Sequence, residues 1–257
     1  MCNRLTSPLE CLTDESDLWG NKAVNLSKTI KYGFPVPKGF VLSSSLFLEY
    51  RKKRKTDCLE AFLCNLDVFV EQSILANGLN KSELIFRSSA NLEGNKSTSF
   101  CGIFDSIQIN NNQRLSEPLV IVWESAFSNT AKIYCSKLGV DVNNISMAII
   151  VQEFFHGTIY GVIQTKDVIG SSDNIVIEYS NKRSNAVVSG KDNTSMLVLA
   201  RSGETITKDC CFELSDKQKN LLCSISQSIE SKFLLPVEIE FSLYKDIITI
   251  LQVRILT

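Results

Sequence analysis

The chain has 257 residues, 44% of them hydrophobic, with 27 basic and 28 acidic side chains and a formal net charge of -1. That length supports a real core in one large domain or two lobes, and the balanced charge gives no electrostatic case for nucleic acid or an anionic membrane. Residues Met1 to Leu12 lack the apolar stretch of a signal peptide, and no apolar run reaches the roughly 18 residues of a membrane span, so neither is expected. The nine cysteines, at positions 2, 11, 58, 64, 101, 135, 210, 211 and 223, are odd in number and scattered, with no C-x-x-C. A disulfide framework or a zinc site is therefore not expected, and reduced thiols in a cytoplasmic protein fit better. Cys101 has no histidine near it in sequence and is not read as a nucleophile.

In chain order, Asn21 to Tyr32 places Ala23, Val24, Leu26 and Ile30 at helical spacing and stops at Gly33, a C-cap signal. The run G-F-P-V-P-K-G-F that follows is a rigid extended corner, since each proline fixes its own φ and biases its predecessor away from helix. Ser43 to Ser45 offers an N-cap for a helix through Phe47, Leu48 and Tyr50, which ends in the basic run Arg51 to Lys55. That run is read as a solvated helix end rather than a nucleic-acid signal. Leu59 to Leu79 continues helical, with Phe62, Leu66, Phe69, Val70 and Ile74 on one stripe. Leu84 to Arg87 and Gly102 to Ile109 are expected strands, and Leu119 to Leu138 one amphipathic helix. From Met147 the chain turns β-rich, with expected strands at Met147–Phe155, Thr158–Thr165, Asn174–Tyr179, Ala186–Ser189 and Met196–Ala200, then a helix from Asp216 to Phe233. This order predicts an α+β protein of two lobes, helix-rich over 1–145 and sheet-rich over 146–257, forming one unit over 1–257.

The last stretch, Pro236 to Thr257, holds two β-rich runs around a turn centred on Lys245, a hairpin signal. If Leu243 pairs with Ile247, Glu238 lies across from Gln252 and Glu240 across from Ile250. Side chains alternate along a strand, so Glu238, Glu240, Gln252 and Arg254 leave one face. Hard oxygen donors suit Mg²⁺ and a planar guanidinium suits a phosphate. A solvated face with a cross-strand ion pair fits the same four residues.

Several motifs fall in a fixed order: G-N-K-A-V-N-L at Gly20–Leu26, the proline corner at Gly33–Phe40, F-R-S-S-A at Phe86–Ala90, and S-F-C-G-I-F-D-S at Ser99–Ser106. W-E-S-A-F-S-N-T-A-K-I-Y at Trp123–Tyr134, M-A-I-I-V-Q-E-F-F at Met147–Phe155, A-V-V-S-G at Ala186–Gly190 and the final hairpin complete it. Together they resemble the N-terminal ATP-grasp nucleotide-binding domain of the phosphoenolpyruvate synthase and pyruvate phosphate dikinase family, over about Trp19 to Thr257. The resemblance implies a two-lobed ATP-grasp fold that binds Mg-ATP between its lobes. It makes Lys22, Arg87 and Arg254 phosphate ligands, with Arg87 and Arg254 as the catalytic cations. It places Gly102 in the family's glycine-bearing flap with Ser106 near it, Gln152 and Glu153 at the hinge that holds adenine, and Glu240 and Gln252, supported by Glu238, on the metal.

Two departures stand out. The family's G-G-K is G-N-K here, with Asn21 for the second glycine, and its G-L-G-E is K-R-S-N at Lys182–Asn185. The chain also ends at R-I-L-T, where the family's ATP-grasp domain ends, so it is expected to stand alone, without the family's histidine and substrate domains. The phosphoryl acceptor is then a phosphohistidine-carrier polypeptide or a small molecule; a nucleotide-binding module without turnover and a direct small-molecule kinase or ligase are the alternatives. The only histidine, His156, lacks the carrier signature and is read as structural.

Overall fold

Strand alternation and helix periodicity sort the chain into two sheets, each covered by helices over its apolar face. The computed structural model describes residues 5–93, 103–109, 113–167, 170, 172–181 and 194–256. It divides into two compact units: Met1–Lys28 with Pro37–Phe154, and Thr29–Val36 with Phe155–Thr257. Among the described residues no helix is long and apolar enough to cross a membrane.

The first unit is built on strands β1 (Thr6–Pro8), β2 (Gly39–Leu42), β3 (Leu84–Ala90), β4 (Ser106–Gln108) and β5 (Met147–Glu153), in the spatial order β1-β2-β5-β3-β4. Every pairing is antiparallel. Its helices are α1 (Ser16–Trp19), α2 (Asn21–Lys31, whose last turn is assigned to the second unit), α3 (Ser44–Lys53), α4 (Leu59–Ala76), α5 (Ser116–Ser125) and α6 (Asn129–Lys137). Phe40, Leu42, Phe86, Ile149 and Val151 project from one sheet face into a core with Phe47, Leu66, Val70 and Trp123. The basic run that ends α3 is largely engaged. Arg51 donates to the Asn143 carbonyl at 2.6 Å, Arg54 pairs with Glu124 and lies 3.9 Å over the Phe127 ring centroid, and Lys53 pairs with Glu49. These contacts fasten a helix end and leave no concentrated basic face.

The second unit carries β6 (Ile159–Gln164), β7 (Ile175–Ser180), β8 (Ser195–Leu199), β9 (Thr205–Asp209), α7 (Asp216–Phe233), β10 (Val237–Tyr244) and β11 (Ile247–Ile255). The strands lie in the order β11-β10-β6-β7-β8-β9. Helix α7 starts at a capping box, with Ser215 accepting from the Gln218 amide and the Gln218 side chain accepting from the Ser215 amide. Its buried side packs Leu222 and Ile229 against Ile163, Ile177, Tyr179 and Phe241.

The α+β architecture in two units is as expected, but its details differ. The units divide at Phe154/Phe155 rather than 145/146, because β5 pairs with both β2 and β3 and cannot leave the first sheet. The single helix expected over Leu119–Leu138 is two, α5 and α6. Ser128 takes an extended conformation and accepts a hydrogen bond from the Ala131 amide, so a local N-cap ends one helix and starts the next. Strand β9 was not expected: it is an edge strand exposed along its length, and burial imposes no alternation on it. The expected strand Ala186–Ser189 lies outside the described residues.

The loop between β10 and β11 is Lys245-Asp246, and Lys245 has φ 54°. A side chain in this left-handed region is strained by about 1 kcal/mol. Lys245→Gly keeps the carbonyl that accepts from Gln218 Nε2 at 2.9 Å. We expect it to stabilise the protein by about 0.5 kcal/mol, read as a higher urea midpoint at unchanged slope.

Candidate functional site

The candidate residues fall into two groups, one in each unit. In the first unit the group is assembled around the junction of α1 and α2. Gly20 turns the chain there with φ 74° and ψ 154°, and a Cβ on it would lie 2.0 Å from the Ser89 carbonyl oxygen. Backbone therefore presses directly on β3. Ser89 Oγ donates to the Trp19 carbonyl at 2.9 Å and accepts from the Ala23 amide at 3.0 Å, satisfying a first-turn donor of α2 that has no intrahelical partner. Asn21 Nδ2 donates to the Asn91 carbonyl at 2.8 Å. The residue that replaces the family's glycine thus fastens α2 to the turn after β3.

Lys22 Nζ lies 3.4 Å from Glu93 Oε1, and both side chains are only 11% exposed, so Lys22 is not an ordinary solvated helix lysine. Glu93 also accepts from Ser88 Oγ at 3.3 Å and from the Ala90 amide at 2.9 Å. The G-N-K and R-S-S-A motifs, far apart in sequence, form one constellation. Arg87 is buried on β3, directly opposite Ser106 on the edge strand β4. Its Nη1 reaches Gln152 Oε1 at 3.5 Å, and Gln152 Nε2 donates to the Pro37 carbonyl at 3.0 Å. At 1% exposure the Gln152 side chain braces Arg87 and the proline corner. Glu153 is exposed, and its amide donates to the Lys38 carbonyl at 2.9 Å. Ser106 is exposed, while Gly102, Cys101, Lys182–Asn185 and Ala186–Gly190 lie outside the described residues.

In the second unit the hairpin register differs from the expected one. Tyr244 pairs with Ile247, which would set Glu240 against Leu251 and turn Gln252 and Arg254 to the apolar face if the ladder were unbroken. A bulge intervenes: Phe241 pairs with Ile250 and Glu240 with Gln252, so Leu251 is the inserted residue. Beyond it Glu238 opposes Arg254. Glu238 is therefore not across from Gln252, nor Glu240 from Ile250, yet the shared face of Glu238, Glu240, Gln252 and Arg254 survives because the true register and the bulge offset each other.

Arg254 meets Glu238 with two nitrogens, Nε at 2.5 Å from Oε1 and Nη2 at 2.7 Å from Oε2. Gln164 Nε2 on β6 also donates to Glu238 Oε2, at 3.2 Å. The cross-strand ion pair is present, and Glu238 is its buried member at 7% side-chain exposure. One bulge away, Glu240 and Gln252 put a carboxylate and an amide carbonyl on adjacent strands. Among the described residues no group of three or more His, Cys, Asp and Glu side chains is placed to hold a metal. Outside the Glu238–Arg254 pair, the oxygen donors this face offers a cation are the Glu240 carboxylate and the Gln252 amide oxygen. Mg²⁺ fits that donor set, because it keeps several waters and takes only one or two protein oxygens beside phosphate.

His156 is exposed between β5 and β6, and Gly157 after it is locked: its amide donates to Tyr160 OH at 2.9 Å, and a Cβ would meet Ser242 Oγ at 1.9 Å. Sequence reasoning missed Glu93, Ser89 and Gln164. Two serines on a strand otherwise buried, and a glutamine within an apolar one, were the available signals; Glu93 left none.

Residues 65–213, more than half of the chain, match the family model described as pyruvate phosphate dikinase, AMP/ATP-binding domain. An uncharacterized phosphotransferase of Bacillus subtilis, YvkC, is 25% identical over 95% of this chain and 34% of its own length. A phosphoenolpyruvate synthase of Aeropyrum pernix is 24% identical over 87% of this chain and 32% of its own. A rifampicin phosphotransferase of Bacillus cereus is 28% identical over 66% and 23%. The chain thus spans about a third or less of these relatives' lengths. A D-alanine–D-alanine ligase from Bacillus anthracis complexed with ATP overlaps 91% of this chain and 54% of its own at a TM-score of 0.46 and 10% identity, too loose a likeness to carry a conclusion. By its sequence, the chain belongs to the pyruvate phosphate dikinase AMP/ATP-binding domain family, the ATP-grasp part of the phosphoenolpyruvate synthase and pyruvate phosphate dikinase group that its motifs resemble.

Proposed function

We propose that this chain binds Mg-ATP and serves as the ATP-binding component of a cytoplasmic phosphotransferase, passing a phosphoryl group to an acceptor on a separate domain or molecule. The observation that carries the reading is the in-register pair of Glu240 and Gln252, beside the Arg254 guanidinium, in a member of an AMP/ATP-binding family. In this reading Lys22, Arg87 and Arg254 present cationic donors to phosphate oxygens, Arg87 and Arg254 acting on the reacting group. Gln152 and Glu153 serve the adenine end, and Ser106, at the start of β4, serves the phosphates together with Gly102. Glu240 and Gln252 hold Mg²⁺, and Glu238 orients Arg254. A bound Mg²⁺ supplies charge neutralisation on the phosphates; the rest of catalysis is positioning by preset donors.

The acceptor is a carrier histidine on another polypeptide in the synthase-like version of this reading. The relatives named rifampicin phosphotransferase favour a second version, in which the acceptor is a small molecule. Nucleotide products report the reaction in either version, since AMP with phosphate marks dikinase chemistry, ADP a simple kinase and neither a binding module. The first test is titration calorimetry with ATP in Mg²⁺ and again in EDTA. We expect binding below millimolar ATP that is lost with the metal. Absence of binding at millimolar ATP, or binding indifferent to EDTA, overturns the proposal.

A further inference from the structure

We propose that Glu93 is a positioning residue for Lys22, holding its ammonium aimed and leaving its other donors for phosphate. This rests on the nucleotide-binding reading above and assigns a part in it to a residue outside the motifs. Three donors converge on the Glu93 carboxylate: Lys22 Nζ at 3.4 Å, Ser88 Oγ at 3.3 Å and the Ala90 amide at 2.9 Å. Two of them belong to the strand end that also carries Arg87, and the third comes from the first turn of α2. Glu93 is 9% exposed overall, so the carboxylate is fixed by these donors rather than by solvent. The Asn21 bond to the Asn91 carbonyl, one residue earlier on the helix and two earlier on the turn, holds the same two segments together.

An ammonium has three donors, and a single carboxylate oxygen satisfies one. A lysine side chain loses rotamer freedom when a ligand immobilises it, worth about fivefold in affinity. Glu93 removes most of that loss by immobilising Lys22 beforehand. The inference predicts that Glu93 matters to nucleotide only through Lys22.

The experiment is a double-mutant cycle on ATP affinity with Mg²⁺ present, using Lys22→Ala and Glu93→Gln, with Glu93→Ala as the second Glu93 variant. Glu93→Gln keeps the side chain's length and a carbonyl for Lys22 and Ser88. We expect it to weaken ATP binding about fivefold in the wild-type background and to have no further effect when Lys22 is already alanine. An equal loss in both backgrounds would show a structural effect on the site and overturn the inference, as would unchanged or tighter binding in the single Glu93 variants. Failure of both Glu93 variants to fold, judged by thermal melting, would make Glu93 a fold residue and overturn it too. If wild type does not bind ATP, it is the nucleotide reading that fails. If wild type binds and Lys22→Ala weakens it while the Glu93 loss is additive, only the present inference fails.

Discussion

Glu240→Ala is expected to weaken Mg²⁺-dependent ATP binding by about 100-fold while leaving stability within about 1 kcal/mol of wild type, and Glu238→Ala to do nearly the reverse. The two carboxylates leave one face of β10 two residues apart, but their surroundings differ. Glu240 is partly exposed and faces Gln252. Glu238 is buried and accepts from Arg254 and Gln164. Deleting Glu238 removes the carboxylate that meets two nitrogens of a guanidinium whose side chain is 24% exposed, which costs about 2–4 kcal/mol. Its effect on nucleotide then comes through a misplaced Arg254 and leaves the Mg²⁺ requirement of binding unchanged. Urea unfolding of both variants, with calorimetry in Mg²⁺ and in EDTA, reads the two quantities separately. Equal losses of metal-dependent affinity, or a larger stability loss for Glu240→Ala, would show the division of roles to be wrong.

Gly20→Ala is expected to destabilise the protein by about 3–5 kcal/mol. The backbone at φ 74° and ψ 154° is a conformation open essentially to glycine alone. A methyl group there meets the Ser89 carbonyl carbon at 2.3 Å and its oxygen at 2.0 Å, and backbone cannot swing aside as a side-chain tip can. Relief requires α2 to lift from β3, which breaks the Ser89 bonds to Trp19 and Ala23 and draws Lys22 from Glu93. Chemical denaturation of the variant measures the loss. A midpoint within error of wild type would mean that this junction is looser than its contacts require.

Helix α7 was legible in outline, from about Asp216 to Phe233, because a long segment with helical periodicity between β-rich runs is readable without knowing the tertiary contacts; the capping box at Ser215 sets its start. Strand β5 was legible as an apolar run bounded by turns, but β3 only over Leu84–Arg87, because its continuation through Ser88–Ala90 reads as a small polar stretch. The break at Ser128 was a local signal overridden by the longer apolar stripe through Trp123 and Tyr134, and the exposed edge strand β9 had no alternation to find. In the candidate site, the motifs singled out Lys22, Arg87, Glu240, Gln252 and Arg254 through their family resemblance, but not what holds them.

The hairpin marks the dividing line. Alternation alone determined that Glu238 and Glu240 share a face of β10 and that Gln252 and Arg254 share a face of β11. Which residues oppose one another was decided by the two-residue turn at Lys245-Asp246 and the bulge at Leu251, and these depend on how β10 packs against β6 and the core. The same holds in the first unit. Gly20 and Lys22 stand in a motif that sequence can carry, because contiguous residues constrain one another through backbone geometry. The bond from Lys22 to Glu93, 71 residues away, leaves no periodic trace in the chain. Only the folding of β3 against α2 brings that carboxylate to the ammonium.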